Sequence, residues 1–213
     1  MLIETSPAQV EAASCNAYPN YYAAGTDTGT NEYYGVQGYI QAHSESVPNN
    51  GSTTDEHILV LANSRSSSAK GLELGWLVGS EPNTGQYVTT PHLYLTFNGP
   101  HEVNGPAIST SSDYYYAEWT DSSDVAHFQV RTGPSGTVVW GNQYSYPGTP
   151  GGQALAMGEV TVTTATPMGP STLSDLQHLN GAGQWFNWPG MTTCADSPYQ
   201  VTGHGTNWLS NDG

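Results

Sequence analysis

The chain has 213 residues, with 18 Asp and Glu against 3 Lys and Arg and 7 His, for a formal charge of -15 at pH 7. That balance excludes the basic patch needed by a nucleic-acid or anionic-membrane partner, and no run of about 18 apolar residues is present to span a bilayer. The length suits one domain with a full core. Once carboxylates protonate, only three Lys and Arg and the histidines carry charge. The composition therefore reads as that of a chain folding and working in acid, or of an ordinary acidic soluble domain. Met1-Leu2-Ile3-Glu4 has neither the basic flank nor the apolar stretch of a secretory signal.

Residues 1–32 are rich in Ala, Tyr, Gly and Thr and lack periodicity, which predicts an irregular arm packed on a domain spanning 33–213. Short runs separated by turn residues then predict strands over 34–41, 57–62, 72–78, 92–97, 114–119, 126–131, 137–140 and 155–163. Pro48-Asn49-Asn50-Gly51 and Glu81-Pro82-Asn83-Thr84-Gly85 are among the breaks. The fold class is all-β, an antiparallel β-sandwich. One short helix is expected over 171–179, where Leu173, Leu176 and Leu179 recur every third residue before Asn180-Gly181. Cys15 and Cys194 stand near opposite ends. Paired, they close nearly the whole chain into a loop, worth up to about 5 kcal/mol; two separate buried thiols are the alternative.

Strand alternation singles out two glutamates. In Leu72-Glu73-Leu74-Gly75-Trp76-Leu77-Val78, the residues Leu72, Leu74, Trp76 and Val78 share a core face and Glu73 lies opposite. In Leu155-Ala156-Met157-Gly158-Glu159-Val160-Thr161-Val162, Ala156, Gly158, Val160 and Val162 share a face and Glu159 lies opposite. Each Glu has a Gly within two residues, leaving room for a substrate backbone. Two carboxylates on one sheet face can share a proton and activate water; two glutamates facing solvent is the plainer reading.

Leu-Glu-Leu-Gly-Trp at 72–76 resembles the Ile-Glu-Ala-Gly-Trp motif of the neprosin family of glutamic peptidases. Pro91–Gly99 resembles that family's aromatic strand, Met157-Gly158-Glu159-Val160 its Gly-Gly-Glu-Val, and Thr164-Ala165-Thr166-Pro167-Met168-Gly169 its Thr-x-Thr-x-Met-Gly. Tyr34-Gly35-Val36 and Pro198-Tyr199 resemble the start and end of the domain, so the likeness runs colinearly over about 33–202. Leu74 in place of Ala, and Ala156-Met157 in place of aromatic-Gly, depart from the pattern. The resemblance implies a curved antiparallel sandwich that cleaves peptides in acid with a preference for proline. It makes Glu73 and Glu159 the catalytic pair, and Tyr34, Tyr94 and Thr166 the expected substrate-binding residues. The fungal scytalidoglutamic type is similar in size and predicted sandwich, but it pairs a Gln with a Glu, which Glu73 does not match.

The mechanism expected is an ionised glutamate acting as base on a water and a protonated one polarising the scissile carbonyl or donating to the leaving amine, with the roles unassigned. A secreted monomer acting on peptide or protein is expected, without cofactor. His43, His57, His92, His101, His127, His178 and His204 show no metal-binding spacing, so no metal is expected. Two competing readings are a carbohydrate-binding sandwich using its Tyr-rich face, and a glycosidase with the same carboxylates, about 5 Å apart for retention or beyond about 6.5 Å for inversion.

Overall fold

The computed structural model describes residues 14–15, 20–29, 33–62, 70–81, 84–97, 101–123, 125–145, 152–161 and 166–213. Most of the predicted arm, and the Thr164-Ala165 part of the last motif, lie outside the described residues. Among the described residues there are fifteen strands: β1 (Tyr21–Asp27), β2 (Gly35–Ile40), β3 (Thr53–Ala62), β4 (Lys70–Ser80), β5 (Tyr87–Phe97), β6 (His101–Ala107), β7 (Tyr114–Thr120), β8 (Val125–Arg131), β9 (Val138–Ser145), β10 (Gly152–Val160), β11 (Ser171–Leu179), β12 (Trp185–Asn187), β13 (Met191–Ala195), β14 (Gln200–Gly203) and β15 (Leu209–Asp212). They form two antiparallel sheets. Sheet A runs β13-β1-β10-β3-β4-β5-β6; sheet B runs β14-β15-β11-β2-β7-β8-β9, with β12 added to β11. The protein is the all-β antiparallel sandwich that the strand pattern predicts. No helix among the described residues is long and apolar enough to cross a membrane.

Alternation decides which side chains enter the core. Leu72, Leu74, Trp76 and Val78 of β4 point inward with Ile58, Leu93, Leu95 and Ala156 from the neighbouring strands of sheet A. They meet Val36, Ile40, Tyr116, Phe128, Val130, Leu173 and Leu176 from sheet B. Each large apolar side chain buried this way contributes about 1.5–3 kcal/mol. Trp76, fully buried, also donates its indole N–H to the Gln41 carbonyl at 3.2 Å. The predicted break at 48–51 is a turn in which Asn50 Oδ1 accepts the Ser52 N–H and Gly51 adopts φ +92°.

Two expectations are corrected. Residues 171–179 are strand β11, not a helix. The register of β11 against β2 shifts between Ser174 and Gln177, and Asp175 sits at φ +51°. That bulge adds a residue, so Leu173 and Leu176 both reach the core although an odd number of steps separates them. Its close approach also explains Gly38: a Cβ there would lie 2.9 Å from the Ser174 carbonyl oxygen. Residues 21–27, read as part of an irregular arm, are strand β1, held between β10 and β13. The small residues that blurred the pattern, Ala23 and Ala24, are fully buried.

Candidate active site

The alternation that buries Leu72, Leu74 and Trp76 turns Glu73 to the outer face of sheet A, and the same holds for Glu159 in β10. Register then assembles a cluster. Tyr22 of β1 pairs with Glu159, and Glu159 with Asp55 of β3. Two residues along β3, His57 pairs with Gly75 of β4, and Gly75 with Tyr94 of β5. Glu73 is two residues from Gly75 on the same face. Side chains from five adjacent strands therefore converge. Gly75 has no side chain to intervene, so Tyr94 and His57 meet across β4, with the Tyr94 hydroxyl 2.9 Å from His57 Nδ1.

His57 Nδ1 lies 2.7 Å from Asp55 Oδ1 and 3.9 Å from Glu73 Oε1. The Tyr94 hydroxyl is 2.7 Å from Glu73 Oε1 and 3.1 Å from Asp55 Oδ1. Glu159 Oε1 accepts from the Asn20 side-chain amide, and Tyr22 hydrogen-bonds the same carboxyl group. The layering is vertical. Asp55, His57 and Tyr94 are buried, as is the Glu159 carboxyl group, although that residue as a whole is half-buried; the Glu73 side chain is 28% exposed. Glu73 is the accessible edge of a buried polar network.

The electrostatics distinguish the members. Burial pushes the Glu159 carboxyl well above the usual carboxylate range, and Asp55 and Glu73 add to this, against the opposing pull of His57 and the Tyr22 hydrogen bond. Burial alone would lower His57, but Glu73, Asp55 and Glu159 outweigh it and hold the imidazole up to about 10. Burial likewise raises Asp55, countered by its hydrogen bonds with His57 and Tyr94. The Tyr94 and Tyr22 hydroxyls are raised by burial and neighbouring carboxylates, so both remain donors. The set presents a carboxyl that keeps its proton, a second carboxylate held by a phenol donor, and a cation beneath them.

Asp55, His57 and Glu159 each bring a potential metal-ligand atom within 4.8 Å of the others. In this arrangement His57 Nδ1 is directed at Asp55, 2.7 Å away.

Of the residues expected from the sequence, Glu73, Glu159 and Tyr94 come together. Tyr34 and Thr166 do not join them. Tyr34 leads into β2 on sheet B, its N–H bonded to the Leu179 carbonyl. Thr166 is buried, and its carbonyl accepts the Tyr199 hydroxyl at 2.8 Å. Cys15 and Cys194 form a disulfide with Cα atoms 5.0 Å apart. It packs with Tyr22, Ala24, Leu155 and Met157, beside the cluster, and so anchors the segment that brings Asn20 and Tyr22 to Glu159. Asp55, His57 and Asn20 were missed in the sequence. The available signal was Asp55-x-His57 on one face of a strand; starting that strand at His57 hid its partner, because β3 begins at Thr53.

No protein-family model matches the chain, and no curated protein matches it by sequence. Solved structures match it in three dimensions. Scytalido-glutamic peptidase with a peptide-based transition-state analogue superposes with a TM-score of 0.63 at 11% identity, covering 91% of this chain and 98% of that one. SCP-B, a member of the eqolisin family of peptidases in complex with the tripeptide Ala-Ile-His, superposes with a TM-score of 0.61 at 12% identity, over 91% and 98% of the two chains. At these identities the likeness is one of fold. It is to the glutamic peptidases of the eqolisin type and does not single out neprosin.

Proposed function

We propose that the protein is an acid glutamic endopeptidase that hydrolyses peptide bonds with Glu73 and Glu159. The observation that carries this reading is their convergence from separate strands onto one buried Asp55–His57–Tyr94 network, on the exposed face of a glutamic-peptidase fold. Glu73, which accepts the Tyr94 hydroxyl, is the base. It takes a proton from water as the water oxygen bonds to the scissile carbonyl carbon. Glu159, kept protonated by its surroundings, polarises the carbonyl and then delivers its proton to the leaving nitrogen as the C–N bond breaks. The imidazolium of His57 offsets the charge of Asp55 and Glu73 and lets one carboxylate stay ionised beside another acid. A preference for proline is supported by the neprosin-like motifs and by the Tyr22 ring beside Glu159, an apolar surface for a pyrrolidine ring. Secretion is supported by the disulfide, which suits an oxidising compartment.

The test is cleavage of a quenched proline-containing peptide from about pH 2 to about pH 8, with pepstatin present, for the wild type, Glu73→Gln and Glu159→Gln. A bell-shaped acid optimum is expected, with turnover lowered at least about 100-fold by either substitution and circular dichroism unchanged. Full turnover by either folded variant, or a maximum near pH 8, would refute the pair.

A further inference from the structure

The outer face of sheet B, on the far side of the sandwich from Glu73 and Glu159, holds a groove of about 950 Å³. Two parallel rows of paired residues run over this face, and Trp119, Leu179 and Trp185 of the first and Ala117 and Gln37 of the second line the groove. In the first row, strand pairing runs His127–Trp119–Gly35–Leu179–Trp185. In the second, two residues along each strand, it runs Ala117–Gln37–Gln177–Asn187.

The aromatic row is pre-organised. The Trp119 indole stacks on His127, ring centroids 5.1 Å apart and planes within 8°. His127 is held in turn by Asp121 Oδ2 at 2.9 Å from Nε2. On its other side the cross-strand neighbour is Gly35, which has no side chain to cover the ring. Trp185 lies three strand spacings away, about 14 Å, with Tyr34 against Gly181 in the groove wall. The amide row is equally ordered. Gln37 Nε2 donates to Gln177 Oε1 at 2.6 Å, and Gln177 Nε2 donates to Asn187 Oδ1 at 3.0 Å. The ladder leaves an acceptor at the Gln37 end and a donor at the Asn187 end.

Charge narrows the ligand. The whole chain carries -15, yet the charged side chains lining this groove are Asp121 and Arg131, one of each sign. Both are committed internally, Asp121 to His127 and Arg131 to Gln129 Oε1 at 3.0 Å and the Pro134 carbonyl at 2.9 Å. The site is neutral. It offers flat rings for C–H faces and, alongside them, the Gln37 side-chain acceptor. A sugar hydroxyl both donates and accepts, whereas a proline-rich peptide offers acceptors and leaves the Gln37 oxygen unmatched.

We propose that this groove binds a neutral oligosaccharide, stacked on Trp119 and Trp185 and hydrogen-bonded to Gln37, whose side chain the Gln177–Asn187 ladder holds in place. The separation of the two indoles suits a short chain of sugars and not a monosaccharide. The site would hold the protein to glycan while the opposite face remains open.

The test is calorimetric titration of the full chain with cellohexaose, xylohexaose and N-acetylated chitohexaose, and with a decaproline peptide in parallel. At least one hexasaccharide is expected to bind. Trp119→Ala and Trp185→Ala should each weaken it at least about tenfold, and Gln37→Leu several-fold. Trp185 lies in the short strand β12, outside the core, so its variant keeps the test valid if Trp119→Ala folds poorly. Glu159→Gln should leave the affinity unchanged. The proposal is overturned if none of the three sugars binds, if binding survives both folded Trp variants, if Glu159→Gln abolishes it, or if decaproline occupies the groove instead. None of these outcomes bears on peptide cleavage, which is read separately.

Discussion

Replacing His57 by Gln removes a buried cation while keeping a donor that can still reach Asp55. The carboxylates of Asp55, Glu73 and Glu159 and the hydroxyl of Tyr94 surround the wild-type imidazole. Its proton is held up to about 10, against 6.5 for an ordinary histidine. That gap corresponds to a contribution of about 5 kcal/mol to folding. The sign follows from linkage. The folded state binds this proton more tightly than the unfolded state, so the contribution is full below about pH 6.5 and is lost as pH rises to about 10. Urea unfolding of wild type and His57→Gln, at about pH 6 and about pH 10, measures it. The wild type should exceed the variant by several kcal/mol at the lower pH, with most of the difference gone at the higher. A stability difference equal at both pH values would refute the cationic role and leave His57 as packing alone.

Glu159 has the same sign of linkage, because its carboxyl is also raised on folding. Glu159→Gln should therefore stabilise the fold at neutral pH and change little near pH 3, as thermal unfolding at the two pH values will show. Tyr94→Phe removes a hydroxyl shared by Glu73, Asp55 and His57; we expect a loss of about 1–3 kcal/mol in urea unfolding and a fall in turnover with Glu73 still present. Asp175→Val places a β-branched residue at φ +51° and should cost about 1–2 kcal/mol, whereas Asp175→Gly should be close to neutral, separating the demand of the bulge from any role of the carboxylate.

Period-two alternation carried the fold class and the position of the glutamates. Leu72, Leu74 and Trp76 read as one buried face, which put Glu73 on the other, and β4 follows that pattern. The same logic failed at 171–179 because a bulge changes the period locally, and a leucine every third residue is shared by a helix and a bulged strand. It failed at 21–27 because alanine and glycine give alternation too little contrast.

The strand-rich fold class and the facing of regular strands such as β4 and β10 are local properties, set by steric alternation and turn chemistry within a few residues, and the sequence by itself determined them; the bulged β11, the small-residue β1 and the short strands near the end of the chain were not legible in that way. Which strands lie side by side is not local. Residues 55, 73, 94 and 159 meet because β10, β3, β4 and β5 are neighbours in sheet A, although β10 follows β5 by more than fifty residues. That ordering is decided by packing the two sheets into one core. Only the tertiary structure therefore joined Asp55 and His57 to the glutamates, set the burial that keeps the proton on Glu159, and ranged Trp119, Trp185 and the amide ladder on the opposite face.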